Sequence, residues 1–216
     1  MNKAILRRLS KLYSAVLCDV LDRIGHRKQG LSYTIRPLYP EARVIGTART
    51  LCSIRKEGFP ERPYEKELEA LDLVCPGDVI VVAMGNDMSS GVWGELLSTA
   101  AMARGAQGAV VDGLTRDAAR IIQKQFPVFA RGITPYDSFG RSEVVTYDVP
   151  IDCGGVTVSP GDVIFGDYDG IIAIPHPIAE KVLCMAEEKA SRELVVDGEF
   201  KRGRSVAEVF AEYGVL

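Results

Sequence analysis

The sequence predicts an α/β fold, a single domain over residues 1–216 built as a sandwich of mixed sheets flanked by helices. Three observations predict it. Stretches with apolar residues at helical spacing alternate with short, continuous apolar runs. From residue 143 to 175, short β-rich runs alternate with glycine and turn residues. No low-complexity segment or long linker divides the chain.

The elements follow in order. Residues 10–24 carry Leu12, Val16, Leu17, Val20, Leu21 and Ile24 at helical spacing, with Gly25 as a stop. Residues 43–51 read as a strand interrupted by Gly46. Residues 56–69 are charged and carry two prolines, which suggests a loop leading into a short helix. Pro76-Gly77-Asp78 is a turn, and residues 79–83 form an apolar run typical of a buried strand. After a loop at 84–91, a helix is expected over 92–104, ended by Gly105. A strand at 109–111, a helix over 117–124 and a strand at 127–130 come next. Strand candidates at 143–149, 156–158, 162–165 and 171–174 precede a long helix over 178–196. A last short helix over 205–213 has Ser205 as its expected N-cap. The run Pro76-Gly77-Asp78-Val79-Ile80 is echoed by Pro160-Gly161-Asp162-Val163-Ile164, which reads as a recurrent turn before a buried strand rather than a duplication.

Composition sets aside several functions. The formal net charge is −3, which argues against a nucleic-acid binder that relies on phosphate contacts. The five cysteines, at 18, 52, 75, 153 and 184, form no C-x-x-C pair, and most sit in apolar surroundings, so reduced core thiols in a cytoplasmic protein are expected. Neither a signal peptide nor a membrane span is expected. The chain has two histidines, His26 and His176, and no H-E-x-x-H, G-x-S-x-G, Walker A or G-x-G-x-x-G pattern. A histidine-dependent triad or a His/Cys zinc site is therefore disfavoured, and both histidines read as structural or surface residues.

The chemistry is expected between residues 91 and 117. Gly94-Glu95-Leu96-Leu97 opens a helix after a flexible loop, and the first N–H groups of a helix lack internal partners and attract anions. The strand at 109–111 delivers Arg116 and Asp117 to a strand's carboxyl end, where open α/β folds bind ligands. Asp117 suits Mg²⁺ or Mn²⁺, which take few protein carboxylates and fill other positions with water and substrate oxygens. Arg116 offers a planar fork to a carboxylate or oxyanion. Glu95 is placed to ligate a metal through water or to act as a base. The alternative is that Arg116 and Asp117 form a surface turn and cap the following helix. Residues 85–117 contain no lysine, which disfavours an imine route.

Several stretches together resemble the RraA-like family, which includes class II 4-hydroxy-4-methyl-2-oxoglutarate aldolases and a regulator of ribonuclease activity. They are Cys18-Asp19-Val20-Leu21-Asp22-Arg23-Ile24-Gly25, Val44-Ile45-Gly46-Thr47-Ala48, Trp93-Gly94-Glu95-Leu96-Leu97, Val111-Asp112-Gly113-Leu114-Thr115-Arg116-Asp117 and Pro160-Gly161-Asp162-Val163-Ile164-Phe165-Gly166-Asp167. The aldolase pattern is an acidic residue, twenty intervening residues, then Arg-Asp, and Glu95 with Arg116-Asp117 satisfies it.

The resemblance implies a swivelling β/β/α fold and a homotrimer, or dimer of trimers, with sites between subunits. It implies a metal-dependent pyruvate aldolase acting on a small 2-oxo acid, with oxaloacetate decarboxylation through the same enolate, and no nucleic-acid or membrane partner. Asp117 would bind the metal, Arg116 the substrate carboxylate region and enolate, and the backbone of residues 94–97 the pyruvyl carboxylate. Where some members have an acidic residue three places after the Asp, this chain has Arg120. Family aldolases also draw an acid from a neighbouring subunit, for which Glu188, Glu193 and Glu199 are the candidates. The contrasting expectation is a non-catalytic regulator that binds a ribonuclease or RNA helicase.

Overall fold

A nine-stranded mixed sheet forms the frame of the molecule, in a computed structural model that describes residues 3–215. In chain order the elements are α1 (Lys3–Leu9), α2 (Ser14–Arg23), β1 (Arg36–Pro37), β2 (Val44–Arg55), α3 (Glu65–Asp72), β3 (Asp78–Ala83), β4 (Gly91–Trp93), α4 (Glu95–Ala103) and β5 (Gly108–Thr115). There follow α5 (Ala118–Gln123), β6 (Val128–Ile133), β7 (Ser142–Tyr147), β8 (Ile151–Cys153), β9 (Val156–Val158), β10 (Val163–Gly166), β11 (Ile171–Ile174), α6 (Ala179–Lys201) and α7 (Val206–Tyr213). The main path of the sheet is β1-β6-β5-β3-β2-β10-β11, with β4 joined to β5 and β7 to β2. Strands β2, β3, β5 and β6 run parallel, while β1, β7, β10 and β11 pair antiparallel. The hairpin β8-β9 stands as a separate two-stranded sheet. The expected mixed α/β architecture is therefore what the chain adopts.

The continuous apolar runs are explained by burial on both faces. Along β3, Val79, Val81 and Ala83 face a core shared with Ile151, Cys153, Val156 and Val158 of the hairpin. The alternate residues Ile80 and Val82 face a second core with Ala70 and Leu71 of α3, Ala101 of α4 and Ile121 of α5. A third core packs α1, α2 and α6 against β10 and β11. Each fully buried aliphatic side chain in these layers contributes about 1.5–3 kcal/mol relative to exposure.

The Val44-Ile45-Gly46-Thr47-Ala48 stretch has a steric reason for its glycine: a Cβ at Gly46 would lie 2.4 Å from the Gly77 carbonyl oxygen. The two Pro-Gly-Asp turns are alike locally. Gly77 and Gly161 sit at φ +95° and +88°, and Asp78 and Asp162 each accept from the backbone N–H three residues earlier. They feed strands that flank β2 with opposite sense, β3 parallel and β10 antiparallel, which fits a recurrent turn and not a repeated unit.

Two helix starts differ from expectation. The helix expected over 10–24 begins at Ser14, and α1 precedes it. The break is held from a distance. The Arg43 guanidinium donates to the carbonyls of Ser10 and Leu12, and Asp167 accepts from both the backbone N–H and the hydroxyl of Ser14. The helix expected over 92–104 begins at Glu95, because residues 91–93 pair with β5 as β4. Trp93 is buried there, stacked near Phe126 at 6.5 Å, with its indole N–H on Ser98 Oγ. At the C-terminal end, α6 runs past 196 to Lys201, and Ser205 precedes α7 without a side-chain capping bond. Strand β8 was not expected.

All five cysteines are free, but Cys75 and Cys184 are exposed, so not all are core thiols. Among the described residues no helix is long and apolar enough to cross a membrane.

Candidate active site

Strand β4 and the end of β5 lie side by side, and this contact builds the site. The Arg116 backbone N–H and the Thr115 hydroxyl both donate to the Trp93 carbonyl, at 2.8 Å each. The turn after β5 is thereby pinned beneath the start of α4. Gly91 and Gly94 allow the close approach. A Cβ at Gly91 would lie 3.1 Å from Arg116 Cβ, and one at Gly94 would lie 2.9 Å from Asp117 Oδ2.

Asp117 occupies the left-handed region at φ +57°, ψ +27°, a strained conformation for a residue with a side chain. Its carbonyl accepts from the Arg120 and Ile121 N–H groups of α5, but its carboxylate does not cap that helix. Instead Oδ2 accepts from the Glu95 N–H of α4, at 3.3 Å. The turn-and-cap alternative therefore accounts for the Asp117 backbone and not for its side chain.

Arg116 is spread between two carboxylates, with Nε 3.6 Å from Asp117 and Nη1 3.4 Å from Asp137. Both distances exceed those of strong charge-assisted hydrogen bonds, so the fork keeps donor capacity for a ligand. Arg116, Asp117, Gly94, Leu96 and Leu97 line one cleft of about 320 Å³, and Tyr64, Glu67, Trp93, Asp137 and Ser138 complete its wall. The Glu95 N–H is taken by Asp117, which leaves the N–H groups of Leu96 and Leu97 as the orphan donors of the α4 start.

Glu95 is placed differently from the other expected site residues. Its N–H faces Asp117, but its carboxylate turns toward α5, 3.0 Å from Lys124 Nζ and 3.8 Å from Arg120. The Glu95 side chain does not line the cleft. Arg120, the departure from the family pattern, is thus a partner of Glu95. Glu188, Glu193 and Glu199 lie on α6, paired with Arg192, Lys189 and the Arg202/Arg204 pair, and none lines the cleft of its own chain. His26 and His176 are also absent from it.

Among the described residues no three His, Cys, Asp or Glu side chains converge as a metal group. Asp117 offers a hard oxygen ligand against the α4 start. It is partly exposed, with one backbone donor, beside a glycine whose missing Cβ leaves room. Such a single-carboxylate site fits Mg²⁺ or Mn²⁺, which fill their remaining positions with water and ligand oxygens.

Sequence reasoning missed Tyr64, Glu67 and Asp137. The Tyr64 hydroxyl donates to Asp137 at 3.2 Å, and Tyr64 itself sits at φ +63° at the start of α3. Glu67 is only 7% exposed, and burial first, then the Asp137 charge, pushes its carboxyl up from about 4.5 to about 7. Nothing in the spacing of a charged, proline-containing stretch signals which of its glutamates is buried in a cleft.

The Glu67 shift has a consequence for stability. The folded chain holds this proton more tightly than the unfolded chain, so the contribution is fully present below pH 4.5 and is lost as pH rises to about 7. The loss is at most about 3 kcal/mol. Glu67→Gln removes it, so the variant's melting temperature relative to the parent is higher at pH 8 than at pH 5. Parallel melting curves at the two pH values would refute this.

The family model described as RraA-like (Aldolase/RraA) matches residues 14–173. A Halalkalibacterium halodurans protein that carries the provisional name 4-hydroxy-4-methyl-2-oxoglutarate aldolase is 35% identical over 173 residues, 80% of this chain and 77% of its own. Streptomyces coelicolor RraAS2, described as an unusual member of the RNase ES inhibitor RraA protein family, superposes with a TM-score of 0.81 at 32% identity, covering 94% of this chain and 98% of its own. An uncharacterised Pseudomonas syringae pv. tomato protein superposes with a TM-score of 0.88 at 26% identity, over 99% of this chain and 95% of its own.

Proposed function

The chain belongs to the RraA-like family, and from that premise we propose that it is a divalent-metal-dependent aldolase. It cleaves 4-hydroxy-2-oxo acids of the 4-hydroxy-4-methyl-2-oxoglutarate type to pyruvate and decarboxylates oxaloacetate. The observation that carries this reading is the pairing of Arg116 and Asp117 beneath the start of α4 in one cleft.

The residues divide the work as follows. The free N–H groups of Leu96 and Leu97 receive the substrate's 1-carboxylate, aided by the positive end of the helix. Asp117 holds the Mg²⁺ or Mn²⁺ ion, which supplies Lewis-acid polarisation of the 2-oxo group when bound. Arg116 donates to the oxygen on which negative charge grows as a base takes the 4-hydroxyl proton and the C3–C4 bond breaks, a form of stabilisation that is often the largest single catalytic contribution. The Glu95 carboxylate, held by Lys124 and Arg120, fixes the start of α4 against α5 and so positions its N–H groups. A homotrimer or dimer of trimers, with an acidic residue of α6 reaching a neighbouring cleft, completes the proposal.

The test is pyruvate release from a panel of 4-hydroxy-2-oxo acids and oxaloacetate, with light scattering of the same sample for assembly. Activity is expected with Mg²⁺ or Mn²⁺ and abolished by excess EDTA, then restored by added metal. Full turnover in excess chelator would sink the metal-dependent reading. A second reading, a non-catalytic regulator of RNA processing, is favoured by the likeness to RraAS2. It requires no pyruvate release under any condition, and binding to its partner would survive Arg116→Ala.

A further inference from the structure

Retro-aldol cleavage leaves a pyruvate enolate that must gain a proton at C3, and none of the residues given a role so far supplies it. We propose that Glu67 is the acid that protonates the enolate carbon, and that it is resupplied through a small water-sized chamber behind it. The proposal rests on the aldolase reading above and adds a catalytic residue to it.

The geometry is the warrant. Glu67 lies in the first turn of α3 and lines the same cleft as Arg116 and Asp117. It is more than nine-tenths buried, and no hydrogen bond or cation reaches its carboxyl among the described residues. A buried carboxyl without a partner is costly as an anion and is retained more readily as a neutral acid. Burial and the charge of Asp137 hold its proton until about pH 7, where a carboxyl can both give and take a proton at working pH.

Glu67 also lines a second cavity, of about 20 Å³, shared with Ser53, Ser138 and Ser142. That volume admits about one water molecule. The Ser53 hydroxyl is buried there with no hydrogen-bond partner, which is the signature of a group built to meet one. Glu67 therefore stands in the wall between the cleft and a water-sized chamber with an unpaired hydroxyl.

The step balances without any further reactant. The Glu67 O–H bond breaks as the enolate π pair forms the new C3–H bond, the enolate oxygen returns to a carbonyl, and Glu67 is left as a carboxylate. A proton from bulk solvent then restores the acid by relay, the chamber water giving one proton to Glu67 as it takes another from solvent, so no hydroxide is left. Run backwards, the Glu67 carboxylate removes a C3 proton from bound pyruvate.

That reversal gives the experiment. Pyruvate is incubated with the Mg²⁺-loaded protein in D₂O, and loss of the methyl proton signal is followed by NMR. In parallel, single-turnover loss of oxaloacetate reads the cleavage step. The parent protein should catalyse both. Glu67→Gln, which mimics the neutral acid in shape, should slow methyl exchange by about 100-fold, a clearly larger factor than its effect on single-turnover cleavage. Glu67→Asp should restore part of the exchange, and it carries the test should the Gln variant not fold. Ser53→Ala should slow exchange by a smaller factor.

Exchange at the parent rate in Glu67→Gln, or equal loss of exchange and cleavage, would overturn the proposal. So would a parent protein that releases pyruvate but exchanges none of its methyl protons. A parent protein that neither cleaves nor exchanges removes the aldolase reading, and this proposal with it.

Discussion

Arg116→Ala lowers kcat by about 100- to 1000-fold for both aldol cleavage and oxaloacetate decarboxylation, the usual cost of removing one oxyanion donor. Both reactions share the enolate, so a donor aimed at it must affect both. If Arg116 binds the enolate more tightly than the ketone, the loss falls on kcat and not only on KM. The ground-state geometry supports this expectation, since its contacts to Asp117 and Asp137, at 3.6 and 3.4 Å, are long and leave donors free for a ligand. Arg116→Lys keeps the charge but not the fork, so it should recover only part of the rate. Neither variant should melt much lower, because partly exposed ion pairs contribute roughly 0–1 kcal/mol. Steady-state kinetics on a confirmed substrate, with melting curves alongside, check the prediction. Near-parental turnover in Arg116→Ala would refute the role, and a large fall in melting temperature would make Arg116 a structural pairing residue.

The parts of the fold that local sequence specifies were legible. The run 79–83 reads as a buried strand because both of its faces meet apolar layers, and the Pro-Gly-Asp turns announce β3 and β10. What was not legible depends on partners distant in sequence. The break before Ser14 is made by Arg43 and Asp167, and the strand at 91–93 exists because β5 is beside it. A helical pattern carries neither fact, so both helices were expected to start early.

The site divides in the same way. Gly94, Arg116 and Asp117 could be brought together from spacing, since one helix and one returning strand connect them. The direction of the Glu95 carboxylate could not, because it is set by Lys124 and Arg120 on the next helix. Tyr64, Glu67 and Asp137 come from a loop, a helix and a second loop that carry no motif. Their relation is tertiary, and only burial against the β4 edge reveals it.

Replacing Asp117 separates metal binding from backbone strain. A non-glycine residue at φ +57° costs about 1–3 kcal/mol unless its surroundings or side chain compensate. Asparagine tolerates the left-handed region at least as well as aspartate, and glycine adopts it freely. Asp117→Asn should therefore melt close to the parent protein, and Asp117→Gly at or above it. The Asp117 carboxylate makes only a 3.3 Å bond with the Glu95 N–H and a 3.6 Å ion pair with Arg116, and both are too weak to reverse that order. Function should move the other way. The carboxylate lies against the α4 start, and a Lewis acid at such a site is worth several kcal/mol of transition-state stabilisation. Since each 1.36 kcal/mol is tenfold, both variants should lose at least about 100-fold in metal-dependent turnover. Their Mn²⁺ affinity, read by electron paramagnetic resonance without any substrate, should fall with it. Asp117→Asn that binds Mn²⁺ as tightly as the parent protein and turns over at its rate would mean that the ion, if used, is held elsewhere. Asp117→Gly that fails to fold would show instead that the carboxylate is needed to hold α4 against the turn.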